Sequence, residues 1–169
     1  SRMAIDTLAR ELTDLSYTNE KETERLLRAA ILKADKAIKI QMEADPVFDG
    51  MGTTLVMGIH FGDRMLIGFV GDSRAYHVVN PPEDSKGNSD SMGAQAEAQT
   101  GILTAIGLNK PQEKPPLINR LTNDHSVVME MVNSGVIEEA DIRTHPMRNR
   151  IIRCLGSIGE SEPDFVWHD

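Results

Sequence analysis

A single cysteine, Cys154, rules out an internal disulfide and a thiolate-rich zinc site. Aromatic residues make up 4% of the 169, so the core must rest on Leu, Ile, Val, Ala and the nine Met. No apolar run approaches the roughly 20 residues of a membrane-spanning helix, and no apolar stretch near the N-terminus fits a signal peptide. The expectation is a protein of the cytoplasm without a membrane partner. Basic residues are also scarce, 18 against 26 acidic ones for a net charge of −8. That balance argues against nucleic acid, whose phosphates are held by clustered Lys and Arg. The five histidines form no H-E-x-x-H motif and no i, i+4 pair, and no Walker-type phosphate loop occurs.

What is present fits one domain with its own core. Apolar residues at Ile5, Leu8, Ala9, Leu12 and Leu15 predict a short amphipathic helix. Asn19 with Glu22 forms a capping-box pattern, and Leu26, Leu27, Ala30, Ile31, Ala34, Ala37 and Ile38 continue a helical stripe up to Asp45-Pro46. The period then changes. Thr53–Ile59 and Met65–Val70 predict a hairpin, with a third strand through Ala75–Val79. Residues 80–116 shift to Pro, Ser, Gly, Asn and Gln and read as an inserted loop, with a helix at 94–108 as an option. A weak strand at Leu117–Leu121 follows, then a helix over Val127–Ser134 closed by Gly135. A short helix near Ile137–Glu139 and a polar-apolar segment through Ile151, Ile152 and Leu155 complete the chain.

Several clusters invite a chemical reading, each beside a plainer one. Asp49-Gly50-Met51-Gly52 pairs a carboxylate with a glycine turn, but Thr-Thr-Leu-Val follows and a strand entry is the better reading. Asp72-Ser73-Arg74 ends an apolar strand where a carboxylate can face a cleft and hold Mg²⁺ or Mn²⁺; alternatively Arg74 pairs with a carboxylate and Ser73 satisfies a turn. Asp124-His125-Ser126 offers three side chains used by hydrolases, yet adjacent residues cannot converge as a triad, and helix capping is favoured. His145, Arg148, Arg150 and Arg153 concentrate cations that could receive a phosphate or pair with surface carboxylates.

The ordered series is more informative than any one cluster. Gly50-Met51-Gly52-Thr53-Thr54-Leu55, Val70-Gly71-Asp72-Ser73-Arg74-Ala75-Tyr76, Leu121-Thr122 with Asp124-His125-Ser126-Val127, Gly135-Val136-Ile137, and His145-Pro146 with Arg148-Asn149 and Arg153-Cys154-Leu155-Gly156 closely resembles the bacterial type 2C, metal-dependent (PPM) protein serine/threonine phosphatases. The likeness covers about residues 3–79 and 117–167.

This resemblance implies an α+β fold, a β-sandwich flanked by helices in α-β-β-α layers, present here as a single partial domain over 1–169. The insert would be 80–116 and a flap about 136–150. It implies a Mn²⁺ or Mg²⁺ pair activating a water against phosphoserine or phosphothreonine on a protein substrate. Asp72 matches the aspartate of a third, weaker metal, and His145 and Arg148 match flap positions that handle substrate. Gly52, Thr53, Gly71, Ser73, Arg74, Asp124, His125 and Ser126 carry the structural motif. The family's upstream phosphate-binding arginine and Asp-Gly-x-Gly-Gly motif, and its downstream Ser-Asp-Gly and Asp-Asn motifs, have no counterpart. The expectation is a chain inactive alone, with at most a weak metal site. The alternative is a non-catalytic module that binds a phosphoprotein or another partner. Incomplete sheet edges would favour a homodimer.

Overall fold

The apolar stripe and capping signal at Asn19 predict a long helix, and α2 runs Glu20–Ala44. Asn19 caps it through its side chain, which accepts the Glu22 amide at 2.9 Å. The Glu22 carboxylate itself forks onto Arg25. Asp45, pushed to an extended conformation before Pro46, ends α2 and caps the 3₁₀ turn Pro46–Phe48. In this computed structural model, residues 1–13, 19–80, 116–159 and 161–169 are described. The proposed helix at 94–108 and most of the insert lie outside them.

Helix α1 (Arg2–Leu12) packs on α2. The hairpin forms as β1 (Leu55–Phe61) and β2 (Arg64–Val70), antiparallel, with Phe61 opposite Arg64. Gly62, at φ +65°, takes the first position of the two-residue turn, where a left-handed residue matches the strand twist. The strand starts two residues later than the sequence predicts, because Thr53 bridges Leu155 instead of extending the hairpin. A fifth strand in chain order, β5 (Asp164–His168), adds to the free side of β2, giving the order β1-β2-β5.

The central strand is buried from Leu66 to Val70. Alternation sends Leu66 and Val70 toward the helices, where they join Ala4, Leu8, Leu27, Ala30, Ile31, Ala34, Ile38 and Leu155 in one core. Gly68 lies on the same face; a side chain there would meet the Phe165 ring at 2.9 Å and Leu27 at 3.3 Å. The opposite face carries Ile67 and Phe69, both buried. Helix α3 (Val127–Asn133) buries Val128 and Met129 and is capped by the Ser126 hydroxyl. Its C-terminus is a Schellman motif. Gly135 at φ +70° donates to Val132 O, and Val136 donates to Met131 O at 2.8 Å. Where the sequence suggests a short helix near residue 137, a 3₁₀ turn, Glu139–Asp141, forms instead.

The chain divides into two units, one of Ser1–Tyr76 with Arg120–Asp169 and one of His77–Asn119. The second is described only at its ends. There β3 (Tyr76–Val79) and β4 (Leu117–Arg120) form a two-stranded sheet that leaves Val78, Leu117 and Ile118 exposed.

Candidate functional site

The turn after β2 carries Asp72, Ser73 and Arg74, and a neighbouring contact fixes each end of it. Gly71 sits at φ +107°, and a Cβ there would fall 2.4 Å from Thr54 Cγ2, so the position requires glycine. Ser73 and Thr54 share a hydroxyl hydrogen bond of 2.7 Å. Arg74 forks onto Asp124, with Nε donating to Oδ1 at 2.8 Å and the terminal nitrogen to Oδ2 at 2.5 Å. Asp124 is buried, and this pairing pushes the arginine further above its already high value. Thr122 accepts the Ala75 amide at 3.1 Å, extending the same clasp.

His125 ties the turn to the sheet. Its Nδ1 accepts the Gly71 amide at 3.0 Å, and its Nε2 lies 3.0 Å from Asp164 Oδ2. Since Nδ1 must accept, the neutral ring carries its proton on Nε2 and donates to Asp164. Burial holds the imidazole below its ordinary value, opposing the pull of Asp164. Burial alone would raise Asp164, but hydrogen bonds from His125 and Arg153 carry it below the usual carboxylate value. Arg153 reaches Asp164 Oδ2 at 3.2 Å and the Glu162 carbonyl at 3.1 Å. Phe69 stacks on the ring at 5.4 Å.

The Asp124-His125-Ser126 stretch is thus divided among three tasks: an ion pair with Arg74, a clasp on Gly71, and the cap of α3. Helix capping, the favoured sequence reading, describes Ser126 alone. Asp164 and Arg153 were not grouped with His125 by the sequence, because no spacing rule links positions 39 and 28 residues away.

Asp72 is half-buried, and no hydrogen bond among the described residues ends on its carboxylate. It acts with Asp35 on Cys154, whose thiol is pushed up first by burial and then by those two charges. Asp35 is already engaged, accepting the Gly156 amide at 2.7 Å and Lys39 at 2.6 Å. Gly52 packs against this strand pairing; a Cβ would stand 3.1 Å from Cys154 Sγ. Thr53 exchanges both backbone hydrogen bonds with Leu155.

In the segment of about 136–150, His145 is half-buried and its Nδ1 accepts the Met147 amide at 3.1 Å, which braces a turn. Arg148 is exposed. Neither is brought to Asp72 by a hydrogen bond or ion pair among the described residues. No group of three or more His, Cys, Asp or Glu among the described residues could hold a metal ion. A single carboxylate does not supply the several convergent oxygens of Mg²⁺ or Mn²⁺, so the described residues do not fit a metal pair.

Against known proteins, the chain is 30% identical over 97% of its length to the serine/threonine phosphatase stp of Listeria monocytogenes, covering 52% of that relative. By sequence it is similar to the bacterial PPM serine/threonine phosphatases. The chain spans about half the length of the curated Listeria relatives it matches. The serine/threonine protein phosphatase PstP of Mycobacterium tuberculosis is 29% identical over 85% of this chain, which covers 21% of it. No family model matches. In fold, the chain resembles serine/threonine phosphatase Stp1 from Staphylococcus aureus, with a TM-score of 0.72 at 24% identity, covering 99% of this chain and 52% of that one. The catalytic domain of PstP in complex with two manganese ions gives 0.62 at 22% identity, covering 99% and 54%. These likenesses bear out an α+β PPM fold. Among the described residues, no helix is long and apolar enough to cross a membrane.

Proposed function

We propose that this chain is a portion of a protein serine/threonine phosphatase that removes phosphate from phosphoserine and phosphothreonine of protein substrates. The observation that carries the reading is the 30% identity to the Listeria phosphatase across 97% of the chain. On this reading the hairpin, the α1–α2 layer and the Gly71–Arg74 turn are framework, and Asp72 is a carboxylate at the end of β2 without a hydrogen-bond or ion-pair partner among the described residues. It would contribute to a weak, auxiliary Mn²⁺ or Mg²⁺ site completed from elsewhere. His145 and Arg148 belong to a flap, about 136–150, that handles substrate.

The chain by itself is inactive on this proposal, since the described residues do not supply a carboxylate cluster. The decisive measurement is hydrolysis of p-nitrophenyl phosphate and of a phosphothreonine peptide by the folded chain, with and without millimolar Mn²⁺, beside Asp72→Ala. Metal-dependent turnover would overturn the inactivity. The same lack of a cluster favours a second reading, a phosphatase-like module that binds a phosphoprotein without hydrolysing it. Retention of an intact phosphopeptide by the folded chain separates the two. Homodimerisation through the open edges of the three-stranded sheet, β1 and β5, is supported by the strand order. A monomeric mass by light scattering would end that idea.

A further inference from the structure

The Schellman turn that ends α3 places the side chain of Val136 beside that of Met131, the hydrophobic pair that accompanies this motif. Together with Val127 and Ile152 they line a groove of ≈ 300 Å³, whose remaining walls are Glu130 and Ser134. Val136 is 68% exposed and Ile152 42% exposed. Two aliphatic side chains this open, flanking a groove, form a place where another apolar side chain removes area from water.

The groove has a charged flank. Ile151 bridges Ser126, and Val127 N donates to Arg150 O, so residues 150–152 are locally extended and paired with the start of α3. Because Val127 lines the groove and its amide is bonded to the Arg150 carbonyl, exposed Arg150 stands beside the groove. From Ile142 to Gly159 the sequence has Arg143, Arg148, Arg150 and Arg153 and no carboxylate, in a chain whose net charge is −8. Arg153 is spent on Asp164. Arg143, Arg148 and Arg150 have no ion-pair partner among the described residues. Outside this segment Arg2, Arg25, Arg28, Arg64, Arg74 and Arg120 pair with carboxylates, while Arg10, on α1, has no ion pair among the described residues.

We propose that this groove and its arginine flank are a docking surface for a peptide segment with one or two aliphatic side chains next to acidic residues. The aliphatic group fills the space between Met131, Val136 and Ile152, and the acidic residues meet Arg150 and Arg148. Charge complementarity chooses this occupant: uncompensated arginines in an acidic protein repel basic partners least where they are screened, and attract acidic ones most where they cluster. Glu130 opposes the acidic end and so favours one peptide direction, with the acids away from α3. The identity of the peptide as part of a phosphoprotein substrate rests on the phosphatase reading; the docking itself does not.

The test uses the whole chain and four labelled peptides of about ten residues: two leucines followed by glutamates, the reverse order, leucines followed by lysines, and serines followed by glutamates. Methyl NMR of Met131, Val136 and Ile152 reads occupancy, and fluorescence anisotropy reads affinity. One of the two leucine–glutamate peptides is expected to bind and shift those methyls. Arg150→Glu and Val136→Asp, both at exposed positions, should each weaken it about tenfold or more, and Glu130→Gln should strengthen it. Equal binding of the lysine peptide, binding untouched by Arg150→Glu, or no binding by any peptide would overturn the proposal. So would a doubled mass that Val136→Asp abolishes, which would place a second copy in the groove. Hydrolysis is not part of these readouts, so an inactive chain leaves the outcome unaffected, and a failed docking leaves the phosphatase reading standing.

Discussion

His125 and Gly71 hold each other twice: the Gly71 amide donates to His125 Nδ1 at 3.0 Å, and the His125 amide donates to the Gly71 carbonyl at 2.9 Å. A side chain and three backbone groups therefore fix the turn that carries Asp72. The arrangement requires a neutral ring, because a proton on Nδ1 would face the Gly71 amide.

Stability should consequently depend on pH through His125. Its folded value is lowered, by burial, from an ordinary 6.5. The unfolded chain then binds more protons near that pH, so the contribution is full above about 6.5 and declines as pH falls below it. Asp164, also lowered, adds a loss only at more acidic pH, below the ordinary carboxylate range. Melting temperature measured at about pH 7.5, 6 and 5 should fall for the natural sequence. In His125→Asn, whose oxygen can still accept from Gly71, the decline between the first two should flatten.

The Arg74–Asp124 fork predicts an asymmetry between conservative substitutions. Arg74 retains about a third of its exposure while Asp124 keeps 7%. Removing Arg74 leaves a buried carboxylate unpaired, and Arg74→Ala should cost about 2 kcal/mol, less than the 3–5 of a fully buried pair. Arg74→Lys should recover only part, since an ammonium cannot fork. Urea denaturation of the three proteins checks the order.

Two glycines at positive φ should behave differently. Gly71→Ala meets Thr54 at 2.4 and 2.7 Å on top of the backbone strain and should cost at least about 3 kcal/mol. Gly135→Ala, at φ +70° with nothing within 4 Å, bears the strain alone, about 1 kcal/mol. Equal losses by thermal denaturation would contradict the close approach at Thr54.

The aliphatic stripe of α2 predicts a cavity effect that its surface does not share. Leu27 is fully buried in the cluster between helix and sheet. Leu27→Ala should cost about 2–5 kcal/mol, while Ile40→Ala, at 54% exposure, should change little. Chemical denaturation distinguishes them.

How legible was all this in the chain? α2 was nearly complete in the sequence because its cap, its period and its proline stop agree. The hairpin was legible from two β-rich runs, although the start of β1 was set by the Thr53–Leu155 bridge, which no local pattern announces. β5 went unassigned: all five of its residues are half-buried, so Asp164–His168 carries no inside–outside contrast to read. At the candidate site, the glycine and the cap were visible, but the partners of His125 come from Gly71 and Asp164, distant segments that only the folded sheet brings together. The insert at residues 80–116 yields no comparison, lying mostly outside the described residues.

The pairing of β2 with β5 sets an order of events. Phe69 and Asp164 are neighbours in the sheet yet roughly a hundred residues apart in the chain, a closure that is slow compared with the adjacent hairpin. During synthesis, α1, α2 and the β1–β2 hairpin can assemble while one side of β2 still waits for its partner. The backbone groups on that side stay available to any other strand until Asp164–His168 leaves the ribosome. His125 lacks its acceptor for the same interval, so the turn bearing Asp72 gains this hold only when β5 docks.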